Sequence, residues 1–422
     1  MELKIGLVVN LVPCGQVKVI KELGRGGQGI VYLADMDGKQ MALKWYSTSL
    51  RPDYKQLQRI VETGAPSDAF LWPRFITKRE HGSYGYVMDL RPQGYYEVSK
   101  FLLSKVKFHS WDAILASSMK ICDGFMMLHR LGYSYHDLND GNFFIRPTDG
   151  DVLICDNDNV TPDSEKTNIG GKSRYMAPEI YMGNMTNKYS DRFSLSVILF
   201  RLFFLDHPLE GARVMACPCV TDENEPRLYG SEAMFVYDPS KKNLPVLGFH
   251  KNIIRRWPIV PSLLRKTFAE QFDQNHLFQP SIRLIEREWK KVLERVRDQL
   301  VICPYCHEES FVDLNRGMHC CMECGREIDI SHLLKIGNRS IVLTRGTKVY
   351  LDDDNVPEAV VDIDNISGSP NGLHLKNLMN VSWMVTTPMG KLKELQPNQM
   401  MPVRNGMKLS FPNNMRGEIE VK

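Results

Sequence analysis

The sequence predicts an α+β chain: a small β-rich lobe, a larger helical lobe, a cysteine-knuckle unit and a small all-β domain, in that order. Three observations carry this reading. Short β-branched runs separated by glycine turns crowd the stretch before Leu90, apolar residues at helical spacing dominate from Val98 to Leu300, and paired cysteines followed by short strands fill the remainder.

In the first lobe, Val17 to Lys21, Ile30 to Asp35 and Met41 to Tyr46 read as three antiparallel strands, turning at Gly24 to Gly29 and at Asp37-Gly38. Asp53 to Glu62 has helical spacing in Tyr54, Leu57, Ile60 and Val61 and is stopped by Gly64 and Pro66. Strand character resumes over Tyr84 to Leu90. Helices are then expected over Val98 to Phe108, Trp111 to Leu131, Tyr189 to Leu205, Pro261 to Phe272 and Ile282 to Leu300. Short strands close the chain: Ser340 to Thr344, Lys348 to Leu351, Ala359 to Ile363, Val381 to Thr386 and Met407 to Phe411. The expected division is 1–298, with lobes of about 1–90 and 91–298, then 299–330 and 335–422.

Of the 422 residues, 43% are hydrophobic and 24% charged, which excludes a disordered chain. A net charge of +3 without a dense basic cluster gives no nucleic-acid footprint. The best apolar run, Leu195 to Leu205, is broken by Ser196 and Arg201, so no membrane span is expected, and Met1 to Gly15 lacks the basic leader and long core of a signal peptide. Five of the ten cysteines crowd into Cys303 to Cys324, which points to reduced thiols with a metal site and to the cytoplasm.

Gly24-Arg-Gly26-Gly-Gln-Gly29-Ile-Val31 lies between two strands, a context that argues against a dinucleotide fold. Its glycines let backbone amides approach phosphate oxygens with no Cβ in the way, although alone it reads more readily as an ordinary Gly-rich hairpin. In Met41-Ala42-Leu-Lys44 a lysine alternates with inward apolar positions, where burial requires an anionic partner such as phosphate. Further on, Tyr135-His136-Asp137-Leu-Asn139-Asp-Gly-Asn142 precedes Leu153-Ile-Cys-Asp156-Asn157-Asp158. Asp137 is a candidate base, and Asn142 and Asp156 are oxygen ligands for magnesium. An Asn/Asp-rich turn explains either piece, but not both following the glycine loop and the lysine in order.

With Ala177-Pro178-Glu179 completing the series, the chain resembles a eukaryotic-type Ser/Thr protein kinase over Val17 to Arg297. The resemblance implies an ATP- and magnesium-dependent enzyme acting on a protein hydroxyl. Asp137 would orient the hydroxyl and take its proton, Asn142 and Asp156 would hold magnesium, and Lys44 would hold the α/β-phosphates. The Gly24, Gly26 and Gly29 backbone would meet the β/γ-phosphates, Val31 and Ala42 would belong to the nucleotide site, and Met88-Asp89-Leu90 would receive the adenine. Asp191 resembles the buried aspartate of the large lobe, and Arg283 the arginine that pairs with Glu179. Glu62 is the acidic candidate on its helix for pairing with Lys44; a solvated helix-end carboxylate is the other reading of it.

The departures are specific. Tyr135-His136 stands where the family usually has His-Arg, so activation by loop phosphorylation is not expected. Asn139 replaces a lysine, and Asn157-Asp158 replaces Phe-Gly. A nucleotide-binding pseudokinase scaffold therefore stays open, as does a small-molecule phosphotransferase sharing the Asp137 to Asn142 spacing, although Ala177-Pro178-Glu179 favours protein as substrate. Pro66 to Pro73, His207 to Gly211 and Leu228 to Pro239 resemble a bacterial branch associated with tellurite-resistance and stress gene clusters. That resemblance implies a metal-dependent phosphatase and a von Willebrand A-type protein as partners.

Cys303-Pro-Tyr-Cys306 and Cys321-Met-Glu-Cys324 are two knuckles separated by fourteen residues, the spacing of a four-cysteine zinc ribbon. Four protein ligands leave no open position, so the zinc is expected to be structural, with His307 and His319 as bystanders. Cys321 is preferred to Cys320 because it keeps the Cys-x-x-Cys spacing. The last unit, with Leu375-Lys-Asn-Leu, Trp383, Gly390-Lys and Asn405-Gly-Met-Lys-Leu-Ser-Phe, loosely resembles the closing strands of forkhead-associated β-sandwiches. Without an arginine and serine pair for phosphothreonine, a sandwich used for contacts or solubility is the other reading.

Overall fold

The N-terminal strands close on themselves. In the computed structural model, β1 (Val8–Val12), β2 (Gln16–Arg25), β3 (Gly29–Met36), β4 (Lys39–Tyr46), β5 (Phe75–Thr77) and β6 (Gly85–Asp89) form a barrel in the order β1-β2-β3-β4-β6-β5. The structure describes residues 2–48, 51–80, 82–163, 165–167, 170–217, 219–316, 319–351, 355–363, 372–412 and 414–422. The strand β1, not anticipated in the sequence, completes the barrel by pairing with both β2 and β5. Period-two alternation sends Val9, Leu11, Val17, Val19, Ile30 and Trp45 inward. The other face of β4 and β6 joins Leu57 of helix α1 (Tyr54–Thr63) in a second core with Ala42, Tyr46, Tyr84 and Tyr86. Because β4 is covered on both sides, Lys44 is buried within it.

The larger lobe is built on α2 (Val98–Leu102), α3 (Trp111–Arg130), α4 (Pro178–Tyr181), α5 (Lys188–Phe204), α6 (Ala212–Met215), α7 (Lys251–Arg256), α8 (Ser262–Gln271), α9 (Gln274–Phe278) and α10 (Glu286–Arg297). Phe193, Phe200, Phe204, Phe268 and Trp289 lie in its single large core. Short strands carry the loops between helices: β7 (Tyr96–Glu97), β8 (Tyr133–Ser134), β9 (Phe143–Ile145), β10 (Val152–Ile154) and β11 (Thr161–Pro162). The helix expected over Val98 to Phe108 ends at Leu102, because Ser104 takes a left-handed conformation with φ of 55°.

Past α10, β12 (Leu300–Ile302) and β13 (Glu309–Phe311) frame the first cysteine knuckle. A sandwich follows, made of β14 (His332–Ile336), β15 (Arg339–Val342), β16 (Lys348–Val349), β17 (Ala359–Ile363), β18 (Leu373–Asn377), β19 (Trp383–Thr386), β20 (Leu392–Leu395), β21 (Met400–Pro402), β22 (Lys408–Ser410) and β23 (Arg416–Val421). Among the described residues its sheets run β15-β14-β23-β22-β19-β20 and β16-β17-β18-β21. Its first strand begins at His332, three residues before the boundary expected at 335, because the chain pairs with the C-terminal β23 from there on.

These C-terminal units are docked on the large lobe. Glu309 Oε2 accepts from the amides of Trp111 and Asp112 at the start of α3, and Asp313 Oδ2 accepts from Ser262 N (2.9 Å) at the start of α8. Trp111 and Phe311 meet edge to face at 5.2 Å. Arg339 of the sandwich makes a bidentate contact with buried Asp298 (2.8 and 2.9 Å), and Lys348 and Tyr350 reach Asp112. One small core runs through Val301, Cys303, Cys321, Leu333 and Val342, so the cysteine-knuckle unit and the sandwich share apolar packing.

Candidate active site

One ammonium group lies where the two lobes meet. Lys44 Nζ contacts Asp156 Oδ1 at 3.1 Å, both oxygens of Asp158 at 2.9 and 3.0 Å, and Gln28 Oε1 of the glycine loop at 3.0 Å. Burial alone would lower the lysine pKa, but the charges of Asp158 and Asp156 hold it above its ordinary value. Asp156 is left-handed at φ 53°, and a 3-10 turn over Asn157–Asn159 carries the chain onward. Asn157 fills a fully buried slot, donating to Leu71 O (2.9 Å) and Ile154 O (3.0 Å).

Asp137 lies on the adjoining loop, entered through His136 at φ 72°. Asp191 secures that conformation, accepting from Tyr135 N (2.6 Å) and His136 N (2.9 Å). Asn139 Nδ2 donates to Asp137 Oδ1 and to its carbonyl, both at 3.0 Å, so the residue standing in for the family's lysine orients the candidate base. Burial pushes the Asp137 carboxyl above its ordinary range, opposed by the Asn139 hydrogen bond and reinforced by the Asp156 charge. Asn142 Nδ2 is committed to Asp137 O (2.9 Å), which leaves Oδ1 as its ligand atom. The Asn142 carbonyl accepts from Cys155 N at 2.8 Å, tying this loop to the one bearing Asp156. Donors and acceptors at Lys44, Asn142 and Asp156 thus fit a magnesium-bound phosphate chain in kind.

Gly26 N bonds to Gly29 O at 2.9 Å, and open space surrounds the Cα of Gly24 and Gly26. Gly29 answers a different demand: a Cβ there would lie 2.2 Å from Trp45 O, so close pairing of β3 with β4 requires glycine. Val31, Ala42, Met88 and Leu90 gather in one cluster with Leu153 and Cys155, and Ala42 stands opposite Met88 across β4 and β6. Asp89, expected beside the adenine, is held by Lys39 (3.0 Å) and Arg74 (2.5 Å).

Glu62 does not meet Lys44. It is exposed and accepts from Gln58 Nε2 (3.1 Å), one turn back on α1, because its position near the helix end points it to solvent. The buried carboxylate at the lysine, beside half-exposed Asp156, is Asp158, which also accepts from Tyr46 OH (2.5 Å) and Tyr86 OH (3.3 Å). The sequence held a signal for it: an acid two residues past Asp156 where an apolar or glycine residue was expected.

The segment from Asp156 to Glu179 is braced at both ends. Neutral hydrogen bonds link His136 Nε2 to Thr161 Oγ1 (2.7 Å) and Nδ1 to Thr186 Oγ1 (2.9 Å), and burial lowers the His136 pKa. At the far end Lys172 pairs with Asp140 (2.6 Å), Arg174 with Glu210 (3.0 Å), and Ser173 with Glu225. His207 accepts from Leu209 N on Nδ1 and donates from Nε2 to Arg174 O (2.7 Å); burial depresses its pKa to about 4. Arg283 meets Glu179 with two 2.7 Å bonds and gives its other three donors to the carbonyls of His276, Tyr189 and Leu277.

Residues 17–225 match the protein kinase domain family. They are a protein kinase domain. This kinase domain is 26% identical over 210 residues to serine/threonine-protein kinase Pkn1 of Myxococcus xanthus, a match covering 45% of this chain and 29% of that protein. It is also 26% identical over 202 residues to human protein kinase C delta type (45% and 29%), and 24% identical over 200 residues to human mitogen-activated protein kinase kinase kinase 13 (45% and 19%). The match spans less than a third of the length of these relatives. The solved kinase domain of Mycobacterium tuberculosis PknI aligns over 70% of this chain and 99% of that one, at 17% identity and a TM-score of 0.45.

Away from the kinase domain, the sulfur atoms of Cys303, Cys306, Cys321 and Cys324 all lie within 4.8 Å of one another, with Cys303 to Cys324 at 3.7 Å and Cys306 to Cys321 at 3.5 Å. A tetrahedral ion with metal–sulfur bonds of about 2.3 Å sets sulfurs about 3.8 Å apart, so the donor set fits zinc. The knuckles repeat one geometry: His307 N to Cys303 O and Gly325 N to Cys321 O, both at 3.0 Å, with His307 and Gly325 both left-handed. Cys320 is exposed and lies outside the cluster.

Among the described residues no helix is long and apolar enough to cross a membrane.

Proposed function

We propose that the chain is an ATP- and magnesium-dependent protein serine/threonine kinase with a structural zinc ribbon and a β-sandwich contact module. The observation that carries this reading is the contact between Lys44 and Asp156, which joins the small-lobe lysine to the loop beside Asp137. Magnesium-bound ATP supplies the transferable phosphoryl group. Asp156 and the Asn142 oxygen hold the metal, Lys44 and the Gly24 to Gly29 backbone hold the phosphate chain, and the Val31, Ala42, Met88 and Leu90 cluster receives the adenine. Asp137, held by Asn139, orients the acceptor hydroxyl and takes its proton; burial moves its pKa toward the range where a base works.

Protein as substrate is supported by the ordered end of the activation segment, a surface on which a peptide can lie. The phrases His207 to Gly211 and Leu228 to Pro239 supply its braces: His207 and Glu210 hold Arg174, and Tyr229 OH donates to Glu210 (2.9 Å). Those phrases support membership of the tellurite-resistance and stress-cluster branch, with a metal-dependent phosphatase and a von Willebrand A-type protein as partners. The four thiolates hold zinc with no open coordination position. The ribbon's caps on α3 and α8 support a structural role, and the sandwich's contacts with Asp112 and Asp298 support a contact role.

Transfer of radiolabelled phosphate from ATP, compared across a protein substrate, small alcohols and an aminoglycoside, tests the reading. Labelled protein alone is expected. Labelling of the small acceptors only would make it a small-molecule phosphotransferase, and no labelling with ATP bound would make it a scaffold.

A further inference from the structure

We propose that Asp158 is the counter-ion that positions Lys44 for the nucleotide phosphates, so that the charge supplied by a helix glutamate in the family comes here from the magnesium loop itself. This rests on the kinase reading above. The Asp158 side chain has 0% exposure and accepts from Lys44 through both oxygens, from Tyr46 and from Tyr86. Its place is set by the 3-10 turn after Asp156 and by Asn157, whose two buried hydrogen bonds pin that turn.

Helix α1 contributes no charge to this cluster. Glu62 faces solvent, and the residue α1 sends toward the loop is Gln56, whose Nε2 donates to Asp158 O (3.4 Å) and Val160 O (3.2 Å). A neutral amide and a loop carboxylate therefore divide the work of one helix glutamate. The division has a physical consequence. Asp156 keeps 46% of its side chain exposed and is the carboxylate free to turn to a metal. A buried ammonium stripped of its only anion would be strongly destabilised, and Asp158, out of reach of solvent, keeps Lys44 compensated when Asp156 is engaged. Lys44 alignment then depends on the loop holding the metal and not on a swing of α1.

The test is a mutant cycle on the full-length chain: wild type, Asp158→Asn, Lys44→Met, the double variant K44M/D158N, and the charge transplant Q56E/D158N. Phosphate transfer to myelin basic protein is expected to fall at least a hundredfold in D158N, mainly in kcat, with KM for ATP changed less than about fivefold. D158N should cost nothing further on the Lys44→Met background, and Q56E/D158N should regain at least tenfold over D158N. Activity of D158N within threefold of wild type, or losses that multiply in K44M/D158N, would overturn the inference. If D158N proves too unstable to assay, its loss of Tm should be relieved in K44M/D158N, which removes the buried ammonium left with only the half-exposed Asp156 as its anion, and an undiminished loss there overturns the proposal. If wild type transfers no phosphate, it is the kinase reading that fails. Mg-ATP affinity by calorimetry then carries the same cycle, and additive losses in affinity would refute the role of Asp158.

Discussion

Two of the buried ion pairs in this kinase domain are built differently. Arg283 and Glu179 lie wholly inside the large lobe, and all five guanidinium donors end on fixed protein oxygens. Lys44 sits between the lobes with two carboxylates and a glutamine, and one of those carboxylates, Asp156, is half exposed. A pair with every partner internal can only be structural. A pair with a spare, solvent-facing anion can exchange that anion for a ligand at little cost to the fold.

The largest expected effect breaks the second pair from its exposed side. Asp156→Asn should reduce phosphate transfer on the order of a thousandfold, because it removes charge stabilisation at the transferred group. Its Tm should stay within a few degrees of wild type, since Lys44 retains Asp158. Lys44→Met should abolish transfer equally but lower Tm further, as it leaves the Asp158 carboxylate buried without a cation. Equal melting of the two variants would contradict the proposed difference between the partners.

Breaking the first pair should act on stability alone. Glu179→Gln leaves Arg283 charged and buried, a loss of about 3–5 kcal/mol in denaturant unfolding. Any residual folded protein should transfer phosphate at nearly the wild-type kcat. A large fall in kcat with unchanged stability would show that this pair also aligns substrate.

The four-cysteine cluster sharpens the contrast, because the role proposed for its metal is again structural. The double variant C303S/C324S should lose zinc by metal analysis and lower the stability of the large lobe by about 2 kcal/mol. That figure reflects the two helix N-termini that Glu309 and Asp313 cap, at about 1 kcal/mol each. Hydrogen exchange should quicken at the starts of α3 and α8. Loss of zinc with unchanged exchange there would mean that the caps survive without the metal.

How much of this was legible in the sequence follows from how local each contact is. Asp137, Asn142, Asp156 and the glycine loop lie in short motifs whose spacing reports their chemistry directly. Pairing of Glu179 with Arg283 was expected only through the family resemblance, since 104 residues separate them. Asp158 was noticed as a departure but not assigned, because its burial depends on Tyr46 and Tyr86, which strand pairing brings together from distant positions. Glu62 misled because residue type and helical placement do not reveal which way a helix end faces. Gln56, uncharged, gave no signal. Among the strands that went unread, β5, β20 and β21 span only three or four residues, too little alternation to stand out from turns.

Two buried histidines give opposite pH limits, one on each side of neutrality. Burial would lower the pKa of His129, but its hydrogen bonds to Asp191 and Glu286 raise it to about 9 from 6.5. Its stabilisation is present in full below pH about 6.5 and is lost as pH rises through about 9. His207, depressed to about 4, behaves in reverse: its contribution is complete above about 6.5 and fades as pH falls toward 4. Thermal melts across this range should show greatest stability near pH 6.5, with His129→Gln flattening the alkaline limb. An alkaline limb unchanged in that variant would refute the assignment.

The smallest effect is expected where the family most often regulates. His136 takes the place of the arginine that clamps a loop phosphate, and its two ring nitrogens are already committed to Thr161 and Thr186. Thr161 is itself buried, so it serves as the fixed anchor of the segment and not as a phosphate acceptor. Ser164 lies outside the described residues, and Ser173 is exposed and bonded to Glu225. Alanine at Ser164, Thr167 and Ser173 together should therefore leave kcat/KM within about tenfold of wild type, about 1.4 kcal/mol at most. Thr161→Ala is the informative contrast, because it strands a neutral buried imidazole at a cost of about 1–3 kcal/mol and loosens the start of the segment. If the triple variant loses activity by several orders of magnitude, and phosphorylation of dephosphorylated wild type restores it, then a phosphate does hold this segment and the His136 link is not what keeps it in place.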